Sequence, residues 1–496
     1  MSDVQAPLDV AIIGGGPVGV ATALMCQHRG LHVEVFERSS DVYPLPRAVV
    51  MDDELQRALA NIGLAEELAA VTSPMLGAEF VDAQGNRLVG AELPVDVPWP
   101  LGYHPVVSYH QPTLENMLRA ALVERGITLH LQCEVVDMRE TDAGSAEIDV
   151  GDDRLGGAHV TRTARWVVGA DGASSPTRKR LGVGLTDLGF DQEWIVVDVR
   201  MHRDAGLKPF TQQVCDPRRV VTLVPGFPPW HRWEFQMRPD ERGVDLNTPS
   251  GLAELLRPWI SGDDATVERS AVYRFHAAVA TEMRVGNVFL VGDSAHQMPP
   301  FLGQGLCSGL RDGVNLAWKL ALVKEGRAND SLLDSYHAER LPHATGVVHH
   351  AVDTGRLIDH LAATGGDGNT AAGYGGGRPF PILTDGVLLS GHPSVGRQIA
   401  NPMYENGQRL DAALGDGFSF VTSPERREQV ATLAGGRFAG CRATVVAAEL
   451  EQLPFVLGRN NAVFLRPDRT VAAVIDLDAD PTADRLHMLL ASYGLV

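Results

Sequence analysis

Apolar positions fall along this chain in two rhythms, one of period two and one of helical spacing. Near the N-terminus an apolar run, Val10 to Ile13, meets a cluster of glycines. Apolar residues then recur at helical intervals to about Arg29, and a second run, Val33 to Phe36, ends on Glu37. Strand, helix, strand is the prediction. Farther on, GNVFL (286–290) leads into GDSAHQMPPFLGQG (292–305), and LCSGLRDGVNLAWKLALVKEG then repeats apolar residues every three or four positions, which predicts a strand-to-helix crossing. Between these stretches EWIVVDVRM, RRVVTLVPG, HRWEFQM and SAVYRFHAAV alternate or run apolar over short lengths, separated by turns such as PGFPP, and predict an antiparallel sheet. On one of its strands Trp233, Phe235 and Met237 share a face, with Arg232, Glu234 and Gln236 on the other. The pattern leaves open which face meets a ligand. The Gly-rich stretch 362–381 reads as a linker with a boundary near 390, beyond which GFSFV, ATVVAAEL, NAVFLRP and TVAAVID predict strands of a small α/β unit.

Composition narrows the class. A chain of 496 residues, 44% hydrophobic and 21% charged, can bury a large core divided among several domains. The 43 basic and 62 acidic residues give a formal net charge of −19, which opposes nonspecific binding to nucleic acid or an anionic membrane. Cys26, Cys133, Cys215, Cys307 and Cys441 form no CxxC pair and no zinc-like cluster, so no disulfide framework and no metal is expected. His349 and Asp353, four apart on a predicted helix, lack a third ligand and read as an exposed polar face. The N-terminus has no basic n-region, and no apolar stretch reaches membrane-spanning length, so a cytoplasmic location is expected.

The candidate chemistry begins at Gly14-x-Gly16-x-x-Gly19. Between a strand and a helix, with an acid at the end of the next strand, these glycines form a dinucleotide fingerprint: Gly14 for the tight turn, Gly16 for close approach to a pyrophosphate, Gly19 for helix packing, and Glu37 for an adenosine ribose. NAD and FAD both satisfy it. Asp293, at the end of a later strand, suits the polyol linker of a flavin, and the helix start after Gly303 and Gly305 suits the edge of a ring that becomes anionic on reduction. Both features together favour FAD.

With GGGPVG and Glu37, VVGADGASSPTR (167–178) and GDSAHQMPPFLGQG running into NLAWKL, the sequence resembles the FAD-dependent aromatic hydroxylases of the para-hydroxybenzoate and phenol hydroxylase type. It is similar in particular to the 3-(3-hydroxyphenyl)propionate hydroxylase branch, through YPLPRAVVMDDE, DQEWIVVDV and RPDRTVAAV. The resemblance implies a mixed α/β (α+β) fold, with a Rossmann-like FAD-binding domain from 1–75, 106–180 and 276–345 and an interleaved antiparallel-sheet substrate domain from 76–105 and 181–275. A helix and linker (346–390) and a C-terminal thioredoxin-like domain (391–496) complete it.

Carried over residue by residue, the resemblance places Gly14, Gly16 and Gly19 at the pyrophosphate and Glu37 with Arg38 at the adenosine end. It puts Arg47 near the phosphates, Gln111 at the flavin linker, Asp293 at the ribityl chain, and Pro300, Gly303, Gly305 and Leu306 at the isoalloxazine. Asp171 and Arg178 fall on the nucleotide side. Substrate candidates are Gln213, Cys215, Arg232, as a partner for a carboxylate, and Phe235; His296 is expected to be structural. Cys307 stands where many relatives have asparagine and reads as packing. No side chain is assigned as catalytic, because the flavin carries the chemistry. NADH or NADPH and O2 are the implied co-substrates, a flavin C4a-hydroperoxide the implied oxidant and a phenolic small molecule the lead substrate; the C-terminal unit is read as structural support or a dimer contact, which leaves the oligomeric state, a homodimer included, open. A hydroxyquinoline or polyketide aromatic is the alternative substrate, and a flavoprotein that sequesters aromatics without turnover the alternative function.

Overall fold

The computed structural model describes the chain except for residues 1–6, 45–46, 142–143, 242, 367–379, 405–406, 449–457, 459 and 480–481. Most of the Gly-rich linker therefore lies outside the described residues.

The mixed α/β fold is organised by sheets. In the first, Val288–Leu290, Ala158–Gly169, Leu8–Ile13, Val33–Glu37 and Thr128–Leu131 run parallel in that spatial order. An antiparallel hairpin, Cys133–Glu140 with Ala146–Asp152, extends from the long Ala158–Gly169 strand. The parallel strands are buried on both faces, which is why they read as apolar runs and not as alternation. The helices Pro17–His28, Gln111–Glu124 and Gln304–Lys324 cover one face, and Val135, Ile148 and Val150 of the hairpin pack on the other.

The second sheet is ordered His296–Gln297, Ala265–Ala280, Leu185–Met201, Trp230–Gln236, Val221–Pro225, Thr211–Cys215, Gly77–Asp82 and Arg87–Glu92. All its pairs are antiparallel except Thr211–Cys215 with Gly77–Asp82. One face carries Ile195, Val197, Val199, Val221, Leu223, Trp233 and Phe235 beneath Leu252 and Leu256 of the Pro249–Leu256 helix. The opposite, inner face carries Trp194, Asp198, Thr222, Arg232, Glu234 and Gln236, as the pairing register requires.

A small sheet of Val50–Asp52, Val106–Tyr109 and Thr72–Pro74 bridges the two. The helix Ser331–Thr364 spans position 345, the expected limit of the FAD-binding segment, with Pro342 inside it. Its C-terminal half packs on the inner face, through Ile358, Leu361 and Ala362 against Trp194 and Cys215.

Beyond 390, four strands are ordered Thr444–Ala447, Ser419–Thr422, Asn461–Leu465 and Val471–Asp476; the first pair is parallel and the others antiparallel. With the Arg427–Gly435 and Thr482–Ser492 helices this is the thioredoxin-like arrangement, and it lacks a redox cysteine pair in sequence. Among the described residues no helix is long and apolar enough to cross a membrane.

Candidate active site

Three distant motifs meet at the carboxyl ends of the parallel strands. The Ala170 N–H donates to the Ile13 carbonyl at 2.7 Å, and the Val291 N–H to the Gly169 carbonyl at 3.0 Å. Ser294 Oγ donates to the same Gly169 carbonyl at 2.6 Å, and Arg178 Nη1 to the Ser294 carbonyl at 2.9 Å. Asp171 accepts from the Thr177 N–H at 2.8 Å and from Ser175 Oγ, so its carboxylate caps the short Pro176–Arg180 helix. Asp171 and Arg178 thus brace the loop after Gly169 against the 292–294 turn.

The glycines divide by the space around them. Gly14 has φ +111°, and a Cβ there would lie 2.3 Å from the Ala170 carbonyl oxygen; a Cβ on Gly19 would lie 2.0 Å from the Gly14 oxygen. A Cβ on Gly16 or Gly305 would meet nothing within 4 Å. Packing therefore demands the first two, whereas Gly16 and Gly305 face open space. Glu37 accepts from the Gly15 and Ser39 N–H groups, each at 2.7 Å, and Arg38 is exposed. Arg119, not among the expected site residues, donates through Nη2 to the Gly15 carbonyl at 2.9 Å, while its Nε is buried with no hydrogen-bond partner among the described residues. Its signal was the spacing Gln111, Glu115, Arg119, one face of one helix.

The 292–305 stretch is more than a strand-to-helix crossing. After Val288–Leu290 it makes a 3-10 turn, adds His296–Gln297 to the second sheet beside Ala278 and Val279, makes another 3-10 turn at Pro300–Leu302 and only then enters the Gln304–Lys324 helix. The motif is the joint between the sheets, a pairing that local periodicity does not encode. Asp312 anchors it: the Gly292 N–H at 2.9 Å and His296 Nε2 at 2.8 Å reach one oxygen, and Arg340 Nε reaches the other at 2.8 Å. Burial alone would raise the Asp312 carboxyl pKa, but His296 and Arg340 more than offset it and hold the group below its usual range. His296 is accordingly structural.

Asp293 has accessible surface although protein surrounds it, as a side chain facing an internal cleft does. Desolvation raises its pKa, against the pull of His296 and Arg47. The 304–324 helix begins at Gly303, φ +64°, with no side-chain cap among the described residues for its first N–H groups. A Cβ on Gly303 would lie 2.2 Å from Val50 Cγ2, so glycine here lets the loop close against the 47–50 segment. Cys307 is fully buried, and burial raises its thiol well above the usual range, in keeping with packing.

Gln111 does something other than expected. Its amide oxygen accepts from the Arg47 and Ala48 N–H groups, each at 2.7 Å, and its amide nitrogen donates to Glu115 at 2.6 Å. It clamps the arginine-bearing loop, whose Arg47 side chain is exposed. Arg232, expected to meet a substrate carboxylate, is 4% exposed, paired with Asp198 at 2.7 Å and donating to the Arg47 carbonyl at 2.6 Å. It is committed within the protein and positions the loop. Phe235 lies on the far face of the sheet. Cys215 is packed under Ile358 and Leu361, with burial pushing its pKa up to about 12. Gln213 remains on the inner face, accepting from Thr222 Oγ1 at 2.7 Å.

This architecture fits FAD on its own terms: open space at Gly16, an unpartnered guanidinium nitrogen beside the glycine turn, a carboxylate facing a cleft, and an uncapped helix start at the other end. The family described as FAD binding domain matches residues 7–351. The chain is 36% identical over 357 residues to a Rhodococcus jostii (strain RHA1) protein named "Probable NADH-specific resorcinol 4-hydroxylase", a match spanning 71% of this chain and 65% of that one. It is 30% identical to the 3-(3-hydroxy-phenyl)propionate/3-hydroxycinnamic acid hydroxylase of Mycolicibacterium smegmatis (strain ATCC 700084 / mc(2)155), over 95% of this chain and 87% of that one. The fold matches the crystal structure of the flavin-dependent monooxygenase PieE in complex with FAD and substrate, with a TM-score of 0.83 at 22% identity over 99% of each chain. This chain belongs to the FAD-binding-domain family and, within it, to the FAD-dependent aromatic hydroxylases.

Proposed function

We propose that this protein hydroxylates a phenolic small molecule, using FAD, NADH or NADPH, and O2. The observation that carries the reading is the convergence, at the carboxyl ends of the parallel strands, of the Gly14–Gly19 turn, the loop after Gly169 and the 292–294 turn bearing Asp293, which leads on to the uncapped start of the 304–324 helix. In this reading Gly14, Gly16, Gly19 and Arg119 hold the pyrophosphate, Glu37 and Arg38 the adenosine end, Arg47 a phosphate charge, and Asp293 the ribityl hydroxyls. Pro300, Gly303, Gly305 and Leu306 border the ring; Asp171 and Gln111 act one step back, on the loops. When bound and reduced, the flavin supplies the oxygen activation that no side chain can.

The protein's own residues hold the substrate ring in place, exclude water and stabilise charge. The uncapped N–H groups at the start of the 304–324 helix would favour negative charge on a reduced flavin bound beside them. Phe301, whose ring lies 5.4 Å from Trp194 and 5.7 Å from Phe190, closes the cleft against the sheet and keeps solvent from that side. Relatives named for resorcinol and for 3-(3-hydroxyphenyl)propionate support a phenol as the substrate class.

The test is a panel of phenols scored for stimulated NADH and NADPH oxidation and for a product heavier by one oxygen atom from labelled O2. Stimulated oxidation with labelled product is expected for at least one phenol. Peroxide without labelled product across the panel, or no stimulation at all, would overturn the reading.

A further inference from the structure

Glu234 stands in the middle of the inner face of the second sheet. Its cross-strand neighbours are Thr222 on one side and Val196 on the other. Two residues back on the same face, Arg232 touches the Arg47 carbonyl. Two residues on, Gln236 pairs across from Trp194, whose ring meets Phe301. Glu234 therefore sits between the point where the sheet touches the Arg47 loop and the point where it touches Phe301, within the segment read above as bordering the flavin ring.

The side chain of Glu234 is 7% exposed, yet among the described residues no hydrogen bond reaches its carboxylate. The charged groups facing it are Arg232 on its own strand, 3.8 Å away, Asp198 on the Leu185–Met201 strand and Arg269 on the Ala265–Ala280 strand. Asp198 already takes both arginines, Arg232 at 2.7 Å and Arg269 at 3.1 Å. Two arginines and two carboxylates make a neutral set only when Glu234 is ionised, and among the described residues the carboxylate of Glu234 has no hydrogen bond, its ion pair with Arg232 standing at 3.8 Å. A buried carboxylate left without a hydrogen bond is costly to a fold and marks a place where a ligand's donor belongs.

Resting on the hydroxylase reading above, we infer that Glu234 is the proton acceptor for the substrate's phenolic hydroxyl. The phenol O–H bond breaks, an O–H bond forms at Glu234 Oε, and the electron pair stays on the phenol oxygen. The negative charge passes from the carboxylate to the phenolate and remains beside Arg232 and Arg269. The electron-rich ring is then the better nucleophile toward activated oxygen, and the proton returns when the product's hydroxyl re-forms. Independently of this geometry, burial pushes the Glu234 pKa up to about 7, partly countered by Arg232.

The experiment uses the FAD-loaded enzyme with resorcinol and 3-(3-hydroxyphenyl)propionate, in two readouts. In the first, without reductant, the ultraviolet difference spectrum of bound phenol should show a phenolate band in wild type that grows as pH rises through about 7, and Glu234→Gln should abolish it while keeping wild-type flavin content. In the second, Glu234→Gln should hydroxylate about 100-fold more slowly or worse, and a ring-fluorinated resorcinol, whose hydroxyl ionises more readily, should restore most of the loss. A merely structural role would not be rescued by substrate acidity. A wild-type enzyme that hydroxylates either phenol without a bound phenolate band overturns the inference alone. So does a Glu234→Gln rate within about twofold of wild type. Failure of the wild type to hydroxylate any phenol overturns the hydroxylase reading, and the role of Glu234 with it.

Discussion

Gly14 and Gly16 lie two residues apart and answer to different demands. Gly14→Ala forces a positive-φ residue against the Ala170 carbonyl and is expected to destabilise the cofactor-free chain by about 2 kcal/mol or more. Gly16→Ala puts its methyl into open space; it should leave the denaturation midpoint of that chain unchanged and weaken FAD retention. Chemical denaturation and flavin content measured side by side check both. Glu234 makes a different prediction. Because its pKa is raised from 4.5 to about 7 in the fold, the folded state binds this proton more tightly than the unfolded chain does, and stability declines as pH rises through that window. Glu234→Gln, a mimic of the neutral acid, should match wild type near about pH 4 and exceed it by about 1–3 kcal/mol at about pH 8. Equal denaturation curves at the higher pH would contradict the shift. The same residue that weakens the fold is the one assigned a chemical task, as expected where function needs a poorly solvated charge.

At the scale of elements, the 292–305 segment shows how one stretch serves two sheets. It leaves a parallel strand, adds a two-residue strand to the antiparallel sheet and enters a long helix, and its turn is held from behind by Asp312 of that helix and Arg340 of the next. Asp312→Asn would leave Arg340 buried without its full counter-charge and loosen the Gly292 N–H contact. The expected cost is about 3–5 kcal/mol, with loss of flavin at temperatures where wild type retains it. Thermal unfolding followed by flavin fluorescence reads both. A stable variant that keeps its flavin would show that the turn holds itself. The strand-helix-strand unit at the N-terminus and the long helix were legible from spacing, since helical periodicity and glycine placement are written within a dozen neighbouring residues. The clamp of Gln111 on the Arg47 loop was not, because a side-chain amide at a helix start gives no sign of which distant N–H groups it will meet.

For the whole molecule, the C-terminal unit is joined to the flavin-binding part by a buried ionic cluster. Glu339 lies 2.9 Å from both Lys319 and Arg466, Arg466 also pairs with Asp468, and Asp468 accepts from Trp318 Nε1 at 3.3 Å. All four charged groups are essentially buried, so removing one partner strands the others. Arg466→Met is expected to destabilise the protein by about 3–5 kcal/mol. Hydrogen exchange should speed up across Ser419–Asp476 before it does in the parallel sheet. Uniform exchange across both would mean that the two parts unfold as one.

The amino-acid order alone determined the glycine turn, the strand periods, the acidic balance and the resemblance that led to FAD, because each depends on residues close in sequence or on totals. Tertiary structure decided which face of the second sheet looks inward, since a period of two marks two faces without naming either. It also decided that Arg232 is committed to Asp198, 34 residues away, and that the carboxylate of Glu234 beside it has no hydrogen bond among the described residues. Those outcomes depend on register and on partners brought together from distant strands, and pairing across space has no local signature in the chain.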